Sequence, residues 1–181
     1  MVAAFYILLV AGHLGFFDVL YFHTFRCRLQ QRPECQREVL WHTARHFIYA
    51  SQFVIIANLR FHGAALLLLL LLYGADVIIA WSDVWEEHDS RRIQGGLPRG
   101  EYFMHVVLSL LIGAYMLSVG QAVWSDRFLP TGVVVDPPAV PALLRLYMTA
   151  MGLGAFGFFV HDLAGWLRFR RARATAAPGA A

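Results

Sequence analysis

Five long stretches of the chain carry almost no charge, and they restrict the possible folds more than any other feature. They cover roughly residues 2–23, 41–59, 63–82, 102–123 and 141–165. A helix needs about 20 mostly apolar residues to cross the hydrocarbon core of a bilayer, and 59% of the 181 residues are hydrophobic. Such a composition excludes an ordinary soluble domain. The sequence therefore predicts an all-α integral membrane bundle of five transmembrane helices.

The predicted spans and their linkers use most of the chain, so residues 1–171 are expected to form a single transmembrane domain. The first span is interpreted as a retained helix and not as a cleaved signal peptide. No basic residue precedes it, and His13 and Asp18 interrupt its apolar run. Residues 172–181, which are rich in alanine, are expected to form a disordered tail.

Arginine predicts the orientation of the bundle, because all 15 basic residues are Arg and none is Lys. Eleven of them lie in the 24–40 linker, in the 88–100 linker or after residue 167, and the opposite side has only Arg60, Arg127 and Arg145. Arginine-rich loops stay in the cytoplasm. We therefore expect the N-terminus outside and the C-terminus inside, in a bacterial cytoplasmic membrane. The net charge of +3 follows from this topology, and no nucleic acid partner is expected.

Most of the histidines fall where the predicted spans meet the cytoplasmic side. They are His23, His42, His46, His88, His105 and His161. Carboxylates accompany them along the chain, namely Glu38, Asp83, Glu87, Glu101 and Asp162. Residues that are far apart in sequence thus share one depth in the membrane, as the ligands of a metal or cofactor must.

Two of the spans begin with the same pattern, in which Glu38 precedes His42 and Glu101 precedes His105 by four residues. Residues four apart lie on one face of a helix, so each pair can present an oxygen and a nitrogen to one point. In the fifth span, His161 shares a face with glycines that permit close helix packing. We predict His42, His105 and His161 as the central ligands, because they come from three different helices.

The wider set of predicted metal ligands combines histidines with carboxylates. It comprises His42, His46, His105, His161, Glu101, Glu38, Asp83 and Glu87. Mixed nitrogen and oxygen ligands suit iron, manganese or zinc. Di-iron helical bundles use Glu-x-x-His pairs, and the spacing of four in this chain departs from that motif. The sequence does not assign catalytic residues.

Three functions remain open at this point. The favoured one is a metal-dependent oxidoreductase of the iron type, with one or two ions, acting on a lipid-soluble substrate at the cytoplasmic membrane edge with an electron-donor partner. A zinc hydrolase is a variant of it. The second is a haem b electron carrier with His46, His105 or His161 as axial ligands, although haem needs none of the carboxylates. The third is a non-enzymatic membrane subunit or a proton or metal-ion pathway.

Three other polar residues lie within the spans, namely His13, Asp18 and Asp76. Each needs a partner on another helix, because hydrocarbon offers none. We expect Asp18 to pair with Arg45 as a structural clasp, whereas His13 and Asp76 receive no predicted partner.

The remaining histidines and the cysteines receive structural interpretations. His23, His62 and His88 are interpreted as side chains at the membrane interface. Cys27 and Cys35 are expected to be free thiols, because their spacing matches no zinc pattern and the cytoplasm is reducing.

Overall fold

The computed structural model describes residues 1–176, and five long helices dominate it. The helices are α1 (Val2–Asp18), α2 (Gln36–Asn58), α3 (Leu66–Ser90), α4 (Arg99–Val123) and α5 (Ala142–Ala176). A π-helical segment, Val19–Arg26, continues directly from α1. The predicted all-α class is therefore confirmed.

Two short strands join the connections at one end of the bundle. β1 (Leu59–His62) follows α2, and β2 (Gly132–Val135) lies between α4 and α5; the two pair antiparallel. We call this end, with residues 59–65 and 124–141, the strand end. The linkers 27–35 and 91–98 lie at the opposite end, which we call the histidine end.

Four of the five helical regions are long and apolar enough to cross a membrane. They are Val2–Arg26, Gly63–Ser90, Arg99–Val123 and Ala142–Arg173. The fifth predicted span, 41–59, is helical, but α2 is not among the four because its polar residues lower its hydropathy. Four of the five predicted spans are thus supported by length and composition, and the fifth stays a prediction. Since α2 is surrounded by other helices, its polar side chains meet protein and not lipid.

The helices form two layers. α2 lies between α3 and α5 in one layer, and α1 packs along α4 in the other. An apolar core holds the strand-end half together around Phe5, Leu8, Ile56, Tyr115 and Met148, all nearly inaccessible. This core lies in the strand-end half of the bundle, and the buried polar groups of the histidine end lie in the other half.

The outer surface of the bundle is apolar, as a lipid-facing surface must be. On α3, Leu70 is 66% exposed, Leu71 is 69% exposed and Trp85 is 75% exposed. A soluble protein rarely exposes so continuous an apolar surface. The exposed leucines and tryptophans therefore support an integral membrane protein.

Two helices extend beyond the predicted bounds. α3 continues to Ser90 and not only to residue 82, and α5 continues to Ala176. Residues 172–176 of the expected disordered tail are thus helical, and 177–181 lie outside the described residues.

Candidate metal centre

Three helices each deliver a pair of potential ligands spaced four residues apart. The pairs are Glu38 and His42 on α2, Asp83 and Glu87 on α3, and Glu101 and His105 on α4. Residues four apart project from one face of an α-helix. Because these stretches of the three helices meet at the histidine end, the pairs converge on one region.

A fourth pair, Asp18 and His23, comes from the junction of α1 with the π-helical segment. In a regular α-helix, residues five apart project about 140° from each other, at ~100° per residue. A π-helix bonds i to i+5, so each turn takes up an additional residue and His23 returns to the face of Asp18. Their Nε2 and Oδ2 atoms are 3.4 Å apart, and both side chains are buried.

Asp18, His23 and His105 form the first of two groups whose ligand atoms all lie within 4.8 Å of one another. His105 Nε2 is 3.2 Å from Asp18 Oδ2, and His23 Nε2 is 3.2 Å from Glu101 Oε1. The other ring nitrogen, His105 Nδ1, is 3.2 Å from Glu87 Oε1. His105 therefore links this group to the second one.

The second group consists of Glu38, His42 and Glu87, again with ligand atoms within 4.8 Å of one another. His42 Nε2 is 3.5 Å from Glu38 Oε1 and 3.3 Å from Asp83 Oδ1. The ring centroids of His23 and His42 are only 4.2 Å apart. The two groups form one unit, which we call the histidine–carboxylate cluster: Asp18, His23, Glu38, His42, Asp83, Glu87, Glu101 and His105.

Several facing atoms in this cluster are buried without a hydrogen-bond partner. They are Nε2 of His23 and of His42, and one carboxylate oxygen each of Asp18, Asp83 and Glu87. A buried polar atom without a partner costs about 1–3 kcal/mol, and native proteins leave few of them. Nitrogens and oxygens that face one another at 3.2–3.3 Å without hydrogen-bond geometry could hold a cation between them.

The charge of the cluster points the same way. Its five carboxylates meet only two guanidinium groups, those of Arg91 and Arg45. Arg91 is fully buried; its Nη2 lies 2.8 Å from Glu38 Oε1 and donates to Glu101 Oε1 at 2.5 Å. Although burial opposes its charge, these two carboxylates raise the pKa of Arg91 above its ordinary value. If the imidazoles are neutral, the five carboxylates and two guanidinium groups leave a net charge of −3, which one divalent cation would reduce to −1 and two would change to +1.

Both cysteines are free, buried thiols beside the cluster. Cys27 Sγ donates to Glu101 Oε2 at 3.6 Å, and Cys35 Sγ donates to the carbonyl oxygen of Ser90 at 3.7 Å. Burial and, for Cys27, the charge of Glu101 raise the pKa of each thiol to about 11. Neither thiol belongs to the two groups of converging ligand atoms, and Cys27 donates a hydrogen bond to a carboxylate of the cluster.

Two predicted ligands, His46 and His161, lie outside the histidine–carboxylate cluster. His46 Nδ1 is 3.3 Å from Asp162 Oδ2, and His161 Nδ1 is 2.9 Å from Asp162 Oδ1. Gln30 donates to the same carboxylate at 2.5 Å. The ring of His161 is 66% exposed. The expectation that His161 joins His42 and His105 is corrected, because Asp162 holds it in a separate group between α2 and α5.

The contacts give no support to axial haem ligation by His46, His105 or His161. Both ring nitrogens of His105 already face carboxylates. The rings of His46 and His161 turn one nitrogen each to Asp162. An axial pair needs two imidazole nitrogens aimed at one iron, and no contact of these three rings indicates such a pair.

The expected clasp between Arg45 and Asp18 is not formed. Arg45 donates to Asp83 Oδ2 at 3.1 Å and to the hydroxyl of Tyr49 at 2.7 Å, while Asp18 faces His23 and His105. Arg45 thus fixes the α3 carboxylate of the cluster from the side nearer the membrane centre.

His13 and Asp76, for which the sequence predicted no partner, each contact a side chain of another helix. His13 Nε2 lies 2.8 Å from the hydroxyl of Tyr147, and Gln52 donates to Asp76 Oδ2 at 3.0 Å. Both contacts join different helices, as the apolar surroundings require.

Sequence reasoning missed Asp18, His23 and Arg91 as members of the site. Asp18 was expected to pair with Arg45, and His23, at the end of the first span, was interpreted as a side chain at the membrane interface. Arg91 contributed only to the arginine count of its linker. The useful signal for Arg91 is its place immediately after Ser90, whose hydroxyl also donates to Glu38.

The fold and this site define a helical protein of membrane type with buried histidine and carboxylate groups that could hold a metal. No family model, no curated protein and no solved structure matches the chain.

Proposed function

We propose that the protein is a metal-dependent integral membrane oxidoreductase of the iron type, with a dinuclear centre in the histidine–carboxylate cluster. The observation that carries this proposal is the set of buried imidazole and carboxylate atoms that face one another without hydrogen bonds. A stabilising polar network would pair these atoms with donors and acceptors. Metal ions would satisfy all of them at once.

The two groups provide the ligands for two ions. Asp18, His23 and His105 would hold one ion, with Glu101 beside His23. The other ion would be held by the second group, together with Asp83: Glu38, His42, Asp83 and Glu87. Of the ligands expected from the sequence, six remain in this proposal, and His46 and His161 leave it.

The ligand chemistry favours iron and the surroundings favour an apolar substrate. Imidazole with carboxylate suits iron, manganese or zinc and not thiol-seeking metals. Hydroxylation of a C–H bond would consume the substrate, dioxygen, two electrons and two protons, and release the alcohol and water. The electrons require a redox partner, which we expect to dock at the histidine end. Arginine-rich linkers at that end favour the cytoplasmic side of the membrane.

Metal analysis of the purified full chain tests the proposal. After reconstitution with iron(II), manganese(II) or zinc(II), one metal at a time, and removal of excess metal, we expect about two ions per chain. A double variant, His42→Ala with His105→Ala, should lose both. His161→Ala is the matched control and should retain both, because His161 touches only Asp162.

The outcomes separate the alternatives. Metal below about 0.2 per chain in every case, the order of adventitious binding, would overturn the proposal and leave a non-enzymatic membrane subunit. Zinc(II) generally binds such ligands more tightly than iron(II), so hydrolysis is favoured only if the zinc-loaded protein is active and the iron-loaded protein is not, since zinc has no redox chemistry. A Soret band in the visible spectrum would indicate haem.

A further inference from the structure

A cavity of about 310 Å³ lies between the two helical layers and is lined by residues from all five helices. Its volume falls within the range of small-molecule sites, about 300–1,000 Å³. Three members of the histidine–carboxylate cluster, Asp18, His42 and His105, form its polar end. Apolar side chains such as Leu8 and Met151 line the part nearer the membrane centre. The cavity therefore connects the proposed metal centre with the apolar interior.

The cavity widens where glycines face it. A Cβ placed on Gly15 of α1 or on Gly154 of α5 would meet no atom within 4 Å. A Cβ on Gly12, by contrast, would lie 2.6 Å from the Phe53 ring, so the helices are tightly packed there. Side chains bridge α1 and α5, His13 with Tyr147 and Phe16 with Phe158. Gly154 lines the cavity and is itself exposed, so the open space beside it gives a lipid-soluble molecule access from the bilayer.

Two hydrogen-bond donors beside the cluster remain without an acceptor. Arg45 donates to the oxygen of Tyr49, so the hydroxyl proton of Tyr49 is free to donate elsewhere. Arg45 Nε is buried without a partner. Both residues line the cavity, and Arg45 is three residues beyond His42 on α2. An acceptor oxygen on a ligand would satisfy both donors.

The polar pair farther from the cluster offers no such donors. His13 Nδ1 must donate to the carbonyl oxygen of Leu9, at 2.7 Å, so Nε2 of the neutral ring accepts the proton of Tyr147. The donors of both side chains are thus used within the protein. The cavity is asymmetric, with free donors only near the metal centre.

We infer that the cavity binds one fatty acyl chain with its oxygenated end toward the cluster. This inference rests on the proposed function for its chemistry but not for its binding. The carboxyl or carbonyl oxygen accepts from Tyr49 and from Arg45 Nε, and the hydrocarbon tail runs toward Leu8 and Met151. The reacting carbon then lies close to the oxygenated end of the chain and not at its middle.

Photocrosslinking of the full chain in lipid nanodiscs tests the site. The probe is a palmitate analogue with a diazirine at the tail end, and crosslinked peptides are identified by mass spectrometry. We expect labelling near Leu8 and Met151. Gly154→Leu should reduce it at least about tenfold by filling the cavity, and Gly15→Leu is a second variant with the same expectation. Gly113→Leu on the exposed face of α4 is the control and should label as the wild type.

Competition tests the orientation. Unlabelled palmitate should displace the probe, whereas n-hexadecane should do so poorly. Tyr49→Phe should weaken palmitate binding about fivefold, the effect of one hydrogen bond, and leave competition by n-hexadecane unchanged. Labelling that persists in both glycine variants would overturn the site, and equal competition by palmitate and n-hexadecane would overturn the acyl specificity.

Metal content keeps this inference separate from the proposed function. Wild-type protein from which a chelator has removed the metal should still label near Leu8 and Met151. The Gly154→Leu variant should keep its metal and lose labelling, and its retained metal shows that it is folded. Metal without labelling in the wild type would sink the acyl site alone; labelling without metal would sink the proposed oxidoreductase alone.

Discussion

The two ends of the bundle handle buried charge in different ways. At the strand end, Arg60 donates to both oxygens of Asp126, at 2.7 and 3.0 Å, and to Asp136 at 3.1 Å. These hydrogen bonds raise the pKa of Arg60 above its ordinary value. At the histidine end, Arg91 contacts two carboxylates and His105 is hydrogen-bonded to Asp18. The facing Nε2 atoms of His23 and His42, by contrast, have no hydrogen-bond partner.

The difference distinguishes a structural polar group from a binding site. The strand-end network satisfies its own donors and acceptors, so nothing further is needed to hold the loops together. The histidine–carboxylate cluster leaves five polar atoms without a hydrogen bond or a guanidinium contact in a buried region. Such an arrangement is stable only if a proton, a water or a metal ion completes it. Five predictions probe this contrast.

The largest effect is expected from Arg91→Met at the histidine end. The change leaves Glu38 and Glu101 buried without their cation, and breaking a buried pair in this way costs roughly 3–5 kcal/mol. Thermal unfolding in detergent measures the loss. The exposed neighbour Arg92 provides the control, since Arg92→Met should change stability by less than about 0.5 kcal/mol. Equal stability of the two variants would mean that Arg91 does not neutralise the cluster.

The next effect is stabilisation by metal. A metal at 100 times its dissociation constant should stabilise the folded protein by about 2.7 kcal/mol, seen as a raised unfolding temperature. The His42→Ala, His105→Ala double variant should show no shift. A shift of the same size in the double variant would place the ion elsewhere and remove the contrast between the two ends.

A smaller effect is expected from Arg60→Ala at the strand end. Arg60 is about one-third exposed, so the loss should be about 1 kcal/mol, measured by the same unfolding experiment. Metal content should remain that of the wild type. Loss of metal in this variant would show that the two ends are coupled, contrary to the separation described above.

His161→Ala should have almost no effect on stability, less than about 0.5 kcal/mol, because its ring is largely exposed. Metal content should be unchanged, as measured by mass spectrometry. If this variant lost one ion, the group around Asp162 would have to be part of the centre, and the correction of His161 would itself be reversed.

The cysteines should be unreactive in the folded protein, without any change in stability. Their thiol pKa of about 11 means that thiolate is scarce at about pH 8 and increases as the pH rises toward 11. Reaction with a maleimide should therefore be slow at about pH 8 and fast after unfolding in detergent, which serves as the control. Rapid labelling of the folded chain at about pH 8 would show that the linkers at the histidine end are open.

The helices could be predicted from the sequence because long apolar runs define them directly. The convergence of Glu38 with His42 and of Glu101 with His105 was also predictable, since a spacing of four fixes both side chains on one face. The number of apolar spans could be predicted less reliably. α2 packs between α3 and α5, and the hydropathy of a single segment does not show whether other helices shield it from lipid.

The rest of the site depends on information that periodicity does not contain. His161 contacts Asp162, its neighbour on α5, and its largely exposed ring does not face the cluster, so its direction around α5 decides that it stays outside. His23 joins the cluster only because the backbone changes to π-helical bonding after Asp18. Neither the rotation of a helix nor a change of its hydrogen-bond pattern can be read from the spacing of residues alone.

The π-helical segment has a consequence for recognising this architecture in other sequences. A π-helical turn holds more residues, so Asp18 and His23, which are five apart, lie on one face as do the pairs four apart on α2, α3 and α4. Four helical regions therefore contribute one pair each. A sequence search that fixes every interval at four would detect the pairs on α2, α3 and α4 and miss Asp18 with His23. A search pattern that allows one additional residue in the first pair would detect all four pairs.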